Sequence, residues 1–175
     1  MRKLSWGLIG GGRDSQIGPA HRLGAVVDGQ FEFLAGALDI DPMASRKFGL
    51  ELGLETNRAY GSWQEMLSLE RNRKDRLDLV TIATPNSTHF EIAKAFLEAD
   101  FNVFCEKPMT MTVREGEILL ETSIKYGKIC AVNYGYTGYP LVRQMKHMVQ
   151  SGKLGGIRLV KAEFAHGHHS DASDM

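Results

Sequence analysis

Apolar runs and amphipathic segments alternate along the whole chain. Leu4 to Ile9 is almost entirely apolar, as a buried parallel strand should be, and it ends at Gly10-Gly11-Gly12. A helix is predicted from Gly18 to Val27, then a second strand from Phe31 to Leu38 that stops at Asp39. Asp41-Pro42 reads as an N-cap with proline at the first helical position, opening a helix to Leu52 with Ala44, Phe48 and Leu52 on one face. Tyr60 falls in a short third strand or turn. Ser62 caps the next helix, through Met66 and Leu69, with Glu65 completing a capping box. The charged stretch Glu70 to Arg76 reads as a solvated helix end and loop.

The second half repeats the alternation. Leu77 to Ala83 is a strand, broken by Thr84-Pro85-Asn86-Ser87 before a helix from Thr88 to Ala99. Asn102 to Cys105 is a strand ending in Glu106-Lys107-Pro108, followed by a helix from Thr112 to Tyr126. The apolar face of that helix is expected at Val113, Ile118, Leu120 and Ile124. Ile129 to Val132 is another strand, and Tyr139 to Gln150 a helix whose Leu141, Met145, Met148 and Val149 keep a 3.6-residue period and read as core. Ile157 to Ala165 reads as a final strand. Strictly alternating strands and helices predict an α/β fold, a doubly wound parallel sheet of the Rossmann type covered by helices.

Strand, glycine turn, helix, strand, acid is also the order that holds a dinucleotide. Glycines let the backbone approach a pyrophosphate, and a helix N-terminus offers unpaired N–H groups to its charge. The usual G-x-G-x-x-G spacing is stretched: Gly10 and Gly12 supply the first two glycines, Ser15 stands where the third belongs, and Gly18 follows an insertion from Arg13 to Ile17. Counted from Gly18, Asp39 lies near the separation of about 20 residues at which an acid meets the adenosine ribose. Gly10, Gly11, Gly12, Ser15, Ile17 and Asp39 are therefore the expected first group of cofactor contacts.

Ligands of open parallel sheets lie beyond the carboxyl ends of the strands. Two further clusters end strands there: Thr84-Pro85-Asn86, with His89 just beyond, and Glu106-Lys107-Pro108. Simple packing or capping would also account for His89, and helix capping for Asn86.

Bulk properties narrow the field. With 21 basic and 21 acidic residues the 175-residue chain has no formal net charge, which argues against a general nucleic-acid binder. The two cysteines, Cys105 and Cys130, lie in apolar strand-like runs and read as buried thiols in a reducing compartment. The apolar stretch after Arg2-Lys3 is too short for a signal peptide, and no run reaches the ~20 residues of a membrane span. A cytoplasmic protein is expected.

The set Gly-Leu-Ile-Gly-Gly-Gly, Ala37 to Pro42, Ala83-Thr84-Pro85-Asn86 with His89, and Glu106-Lys107-Pro108 resembles the glucose-fructose oxidoreductase / inositol dehydrogenase / MocA (Gfo/Idh/MocA) family. The likeness covers nearly the whole chain and corresponds to that family's N-terminal domain. It implies an NAD(P)-dependent dehydrogenase that takes hydride from a secondary hydroxyl of a sugar, cyclitol or related polyol. Lys107 would be the catalytic residue here, near the nicotinamide and the substrate hydroxyl. Pro108 would fix the turn that aims it, a cis peptide bond being one way to do so, and Glu106 and Asn86 would contact the nicotinamide ribose region. Asp39 favours NAD over NADP by repelling a 2′-phosphate, with Arg46 nearby as the opposing feature.

The resemblance also implies a second, mostly antiparallel domain carrying an Asp-x-x-x-His. The division expected is residues 1–152 for the dinucleotide domain and 153–175 for the start of a truncated substrate and oligomerisation domain, represented only by its first strand. On that expectation the chain binds cofactor but turns over poorly, and the full-length protein is a homo-oligomer. The competing reading is a non-catalytic dinucleotide-binding sensor. No metal site is expected, because His166, His168 and His169 lack an accompanying cysteine or carboxylate set.

Overall fold

A computed structural model of the chain describes residues 2–165. Five strands form one parallel sheet: β1 (Leu4–Gly10), β2 (Phe31–Ala37), β3 (Leu79–Ala83), β4 (Asn102–Glu106) and β5 (Cys130–Asn133). Their order is β2-β1-β3-β4-β5, so the chain winds one way from β1 to β2 and the other way from β3 onward. The reversal between β1 and β3 is the topological switch point where such sheets open a crevice.

Helices α1 (Ile17–Val26) and α2 (Pro42–Glu51) pack on one face of the sheet, and α3 (Trp63–Glu70), α4 (His89–Glu98) and α5 (Val113–Tyr126) on the other. The alternation of strand side chains sorts the core between them. Trp6 and Leu8 of β1 join Leu38, Phe48 and Leu52 under the first pair. Ile9 joins Met66, Ile82, Ile92, Phe96 and Leu119 under the second group. Trp6 carries a polar atom into this core, and its Nε1 donates to Thr81 Oγ1 at 2.7 Å, which removes the cost of burying it.

Helix starts follow the predicted chemistry, with one exchange of partners. Asp41 accepts from Met43 N and Ala44 N with Pro42 behind it. Ser62 Oγ accepts from Glu65 N at 3.2 Å, but the Glu65 carboxylate turns to Gly61 N, 2.9 Å away, and to Arg46. The complete capping box belongs instead to Thr112 and Glu115 at the start of α5. That helix stops at Gly127, in the left-handed conformation.

Several expectations need correcting, among them the solvated stretch from Glu70 to Arg76, whose Glu70 is fully buried. Of the two readings at Tyr60, strand or turn, the strand does not form: Ala59 follows a turn and makes a single parallel bridge to Gly36, closed by Gly36 N to Arg58 O and Tyr60 N to Gly36 O. Helix α5 buries Leu119 and Thr122, while Val113, Leu120 and Ile124 are exposed. Thr122 hides its polarity by donating to Ile118 O at 2.7 Å, so hydropathy alone picks the wrong face. Residues 157–165 form no strand, since no described strand runs beside them to complete a ladder. Helix α6 (Pro140–Gln150) leaves Leu141, Met145 and Val149 exposed, with no residue buried.

The chain divides into two compact units, Met1–Tyr134 and Gly135–Met175. Within the described part of the second, α6 is the one α-helix, preceded by a 3-10 turn at Gly135–Gly138, so its apolar side has no neighbour within that unit to bury it. The predicted domain boundary fell later, after residue 152. The tail histidines 166, 168 and 169 lie outside the described residues, and among the described residues no cluster of histidine, cysteine or carboxylate is fit to hold a metal.

Candidate functional site

The glycine turn leaves β1 in a conformation only glycine tolerates well. Gly10 has φ +74°, and a Cβ there would stand 2.5 Å from Ala83 O. Gly18 plays the part of the third glycine despite its late position. It sits in the first turn of α1 against Gly11, where a Cβ would overlap the Gly11 carbonyl. The insertion is therefore absorbed before the helix, and the helix still packs tightly on the strand end. Ser15 Oγ accepts from Gly18 N at 3.1 Å and so takes up one of the N-terminal amides of α1. Arg22, one turn into α1, donates from Nη1 to Gly11 O at 2.8 Å, and its partial burial lowers its pKa. Ile17, half-buried, opens the helix.

Asp39 follows β2 at the exposed edge of this turn. One carboxylate oxygen accepts from Asp41 N at 2.9 Å, and the other lies beside Gly12, 3.5 Å from where a Cβ would be. Arg46 is committed elsewhere. Its Nη1 donates to Ala59 O at 2.9 Å and its Nη2 to both Glu65 oxygens at 2.7 Å. That pairing holds the Glu65 carboxyl below its ordinary range.

Past β3, Thr84 is half-buried while Pro85 and Asn86 are exposed, and Asn86 starts a single 3-10 turn, Asn86–Thr88. His89 is fully buried. Its Nε2 stands 2.9 Å from Thr84 O and its Nδ1 2.8 Å from Pro108 O. Both ring nitrogens are spent on backbone carbonyls, so His89 joins the two strand-end loops and offers no free nitrogen to a ligand.

After β4 the chain passes through Glu106, Lys107 and Pro108, with a cis Lys107–Pro108 peptide. Lys107 is exposed, and no described residue pairs with its amine. Glu106 is buried. Its Oε1 accepts from Asn133 Nδ2 at 2.6 Å and lies 2.9 Å from His21 Nε2, while Oε2 accepts from Lys107 N at 3.1 Å. Motif reasoning missed His21 and Asn133. The available signals were modest: His21 lies four residues after Ile17 on the sheet-facing side of α1, and Asn133 pairs with Glu106 in the β4–β5 register. Cys105 is buried, and that burial pushes its thiol up to about 12.

Gly10 to Gly12, Asp39, Thr84 to Asn86 and Lys107-Pro108 thus gather at the carboxyl ends of four adjacent parallel strands. The positive-φ turn and the close contact of Gly18 with Gly11 make a cradle that fits a dinucleotide pyrophosphate. This is an α/β dinucleotide-binding domain.

Comparison with known proteins sharpens that class. The oxidoreductase family with an NAD-binding Rossmann fold, Gfo/Idh/MocA, matches residues 4–134, and the chain belongs to it. The chain is 44% identical to the uncharacterized oxidoreductase YfiI of Bacillus subtilis, over 95% of its own length and 42% of that protein. It is 33% identical to levoglucosan dehydrogenase of Pseudarthrobacter phenanthrenivorans, over 90% of its length and 40% of that enzyme. Among solved structures, an inositol dehydrogenase homolog from Azotobacter vinelandii, complexed with NADH and myo-inositol, superposes with a TM-score of 0.93 at 44% identity. That match covers 97% of this chain and 45% of the other. The chain therefore spans less than half the length of these relatives. No helix among the described residues is long and apolar enough to cross a membrane.

Proposed function

We propose that this NAD-binding domain seats the cofactor with its pyrophosphate on the turn Gly10 to Gly12 and the start of α1, its adenosine ribose at Asp39, and its nicotinamide toward Lys107. The observation that carries the proposal is the convergence of these groups at the switch point of one sheet. Bound NAD supplies the hydride acceptor. The protein of which this domain is part oxidises a secondary hydroxyl of a sugar, cyclitol or related polyol. Relatives named for NADH with myo-inositol and for levoglucosan support that class of substrate.

Lys107 contributes by holding a cationic N–H donor at the mouth of the crevice, where it orients the hydroxyl and eases loss of its proton. His89 holds the Thr84 and Pro108 loops at a fixed separation around it. Asn86, exposed at the end of β3, is placed to meet the nicotinamide ribose. An amine with no partner among the described residues has little purpose in a regulator that only senses dinucleotide, so the enzyme reading is preferred over the sensor.

Preference for NAD over NADP follows from the chain's own residues, since another relative is named for NADP(+). Asp39 presents a carboxylate where a 2′-phosphate would lie, and Arg46, the nearby cation able to offset it, is bound to Glu65.

Residues 1–152 are assigned to the dinucleotide domain and 153–175 to the start of a substrate and oligomerisation domain. Fluorescence titration with NADH tests the cofactor site, and Lys107→Met separates binding from chemistry. In this chain the variant should bind NADH about as well as the parent, and in the whole protein the same substitution should lose hydride transfer from a responsive polyol. A chain that leaves NADH fluorescence unchanged at millimolar concentration overturns the proposal.

A further inference from the structure

Glu106 is a buried carboxylate whose three hydrogen-bond partners come from three different parts of the fold. His21 reaches it from α1, Asn133 from the end of β5, and the backbone N–H of Lys107 from the turn it precedes. The His21 and Glu106 side chains are only 7% and 10% exposed. The imidazole is fixed in turn by an edge contact to Phe104, with ring centroids 5.8 Å apart and planes at 88°.

A carboxylate removed from water is costly unless its oxygens are satisfied, and an apolar residue would fill this position more cheaply. The geometry gives the group another role. Among the described residues the Glu106 carboxylate is the one side chain hydrogen-bonded to the Lys107 backbone, and its own position depends on His21 and Asn133. His21 belongs to the helix whose N-terminus faces the glycine turn.

We propose that His21 is a positioning residue for Lys107. Acting through the Glu106 carboxylate, it ties the helix that receives the cofactor phosphates to the turn that carries the lysine. The inference rests on the cofactor placement proposed above. Seating a pyrophosphate on α1 then steadies the lysine turn, and by linkage an ordered lysine turn favours the seated phosphate. Asn133 donates to the same oxygen and so helps to hold the carboxylate.

The Lys107 amide resonance in the 15N-labelled chain reads this linkage directly, with and without cofactor. In the parent chain the amide should exchange slowly with solvent. His21→Leu should speed its exchange by about tenfold, as expected for loosening one hydrogen bond of ordinary net strength. His21→Gln, which keeps a side-chain donor, should recover much of the protection. In a Glu106→Gln background His21→Leu should have little further effect, because both changes break the same path. Added ADP, which carries the phosphates without the nicotinamide, should shift the Lys107 amide in the parent chain and not in His21→Leu.

Unchanged exchange in His21→Leu, or an effect of equal size with and without Glu106, overturns the role of His21. If His21→Leu does not fold by circular dichroism, His21→Asn, polar but too short to reach Glu106, takes its place in the same cycle. Failure of ADP to shift the Gly10 to Gly12 amides overturns the cofactor placement instead, and the exchange comparison without nucleotide still decides on His21.

Discussion

His89 and Pro108 are 19 positions apart, and the Nδ1 of the first stands 2.8 Å from the carbonyl oxygen of the second. The same ring reaches Thr84 O with its other nitrogen. One buried side chain at the start of α4 therefore sets the spacing between the loops that follow β3 and β4. A carbonyl only accepts, so the ring N–H donates to these oxygens, and removing the ring takes that donor away from a part-buried setting. His89→Ala should lower the unfolding free energy by about 1–3 kcal/mol, read from urea titrations, and weaken NADH binding at the same time. A variant that lost stability but bound NADH unchanged would confine His89 to packing.

Asp39 and Arg46 make opposite contributions to cofactor choice only if both are free to act. The ion pair with Glu65 removes Arg46 from the contest, which leaves the Asp39 carboxylate to repel a 2′-phosphate. Asp39→Ser should raise the NADPH-to-NADH affinity ratio by about tenfold, equivalent to 1.4 kcal/mol. Glu65→Gln, by loosening Arg46, should move the ratio in the same direction by less. Parallel fluorescence titrations with the two reduced cofactors provide the check. An unchanged ratio in Asp39→Ser would place the adenosine ribose elsewhere.

Beneath α3 the Glu70 carboxylate is fully buried with Arg58 and Tyr60 against it. Tyr60 donates to Glu70 Oε1 at 2.7 Å, and Arg58 Nη2 donates to Glu70 Oε2 at 3.2 Å. Arg58 Nε lies 3.1 Å from Oε1 yet is misaligned for a hydrogen bond, so the guanidinium depends on its remaining contacts. Burial and the Glu70 carboxylate together raise the Tyr60 pKa well above its ordinary value. Removing one partner of a buried pair strands the other charge. Glu70→Ala should cost about 3–5 kcal/mol in urea unfolding, while Tyr60→Phe, which keeps the ring, should cost about 1 kcal/mol.

The strands, the sheet class and the glycine turn were legible because each is written locally. Apolar runs such as Leu77 to Ala83 announce buried strands, and Asp41-Pro42 announces a helix start. Gly18 could be found because spacing to Asp39 survives an insertion. What stayed hidden depends on contacts across the fold. His89 reads equally as ligand or packing until Pro108 is brought beside it, 19 residues on. The His21–Glu106 contact joins residues 85 positions apart, and no local period encodes it. Thr122 shows the converse failure, a polar residue in the buried stripe of α5 that pattern reading assigns to solvent. The apolar stripe of α6 is equally clear in sequence, yet periodicity states only that a face is sticky and not what lies against it.

Asp78 makes the acid response of the fold testable. Its carboxylate accepts two short bonds with Arg2, both at 2.6 Å, together with Ser5 N at 2.8 Å and Ser5 Oγ at 2.9 Å. The Arg2 bonds are the largest influence holding its pKa well below the usual carboxylate range. Ser5 adds to them and desolvation opposes. The folded state thus holds this proton less tightly than the unfolded chain, whose aspartates titrate near pH 3.9. The resulting stability is complete above that value and fades as pH falls toward the folded pKa. Urea midpoints measured at neutral pH and near pH 3 should show the parent chain losing more on acidification than Asp78→Asn. Arg2→Ala should fall between them, because the Ser5 bonds remain. Acid responses that run parallel in the parent and Asp78→Asn would assign the loss to other carboxylates, of which Glu65, Asp75 and Asp100 also titrate below their ordinary range.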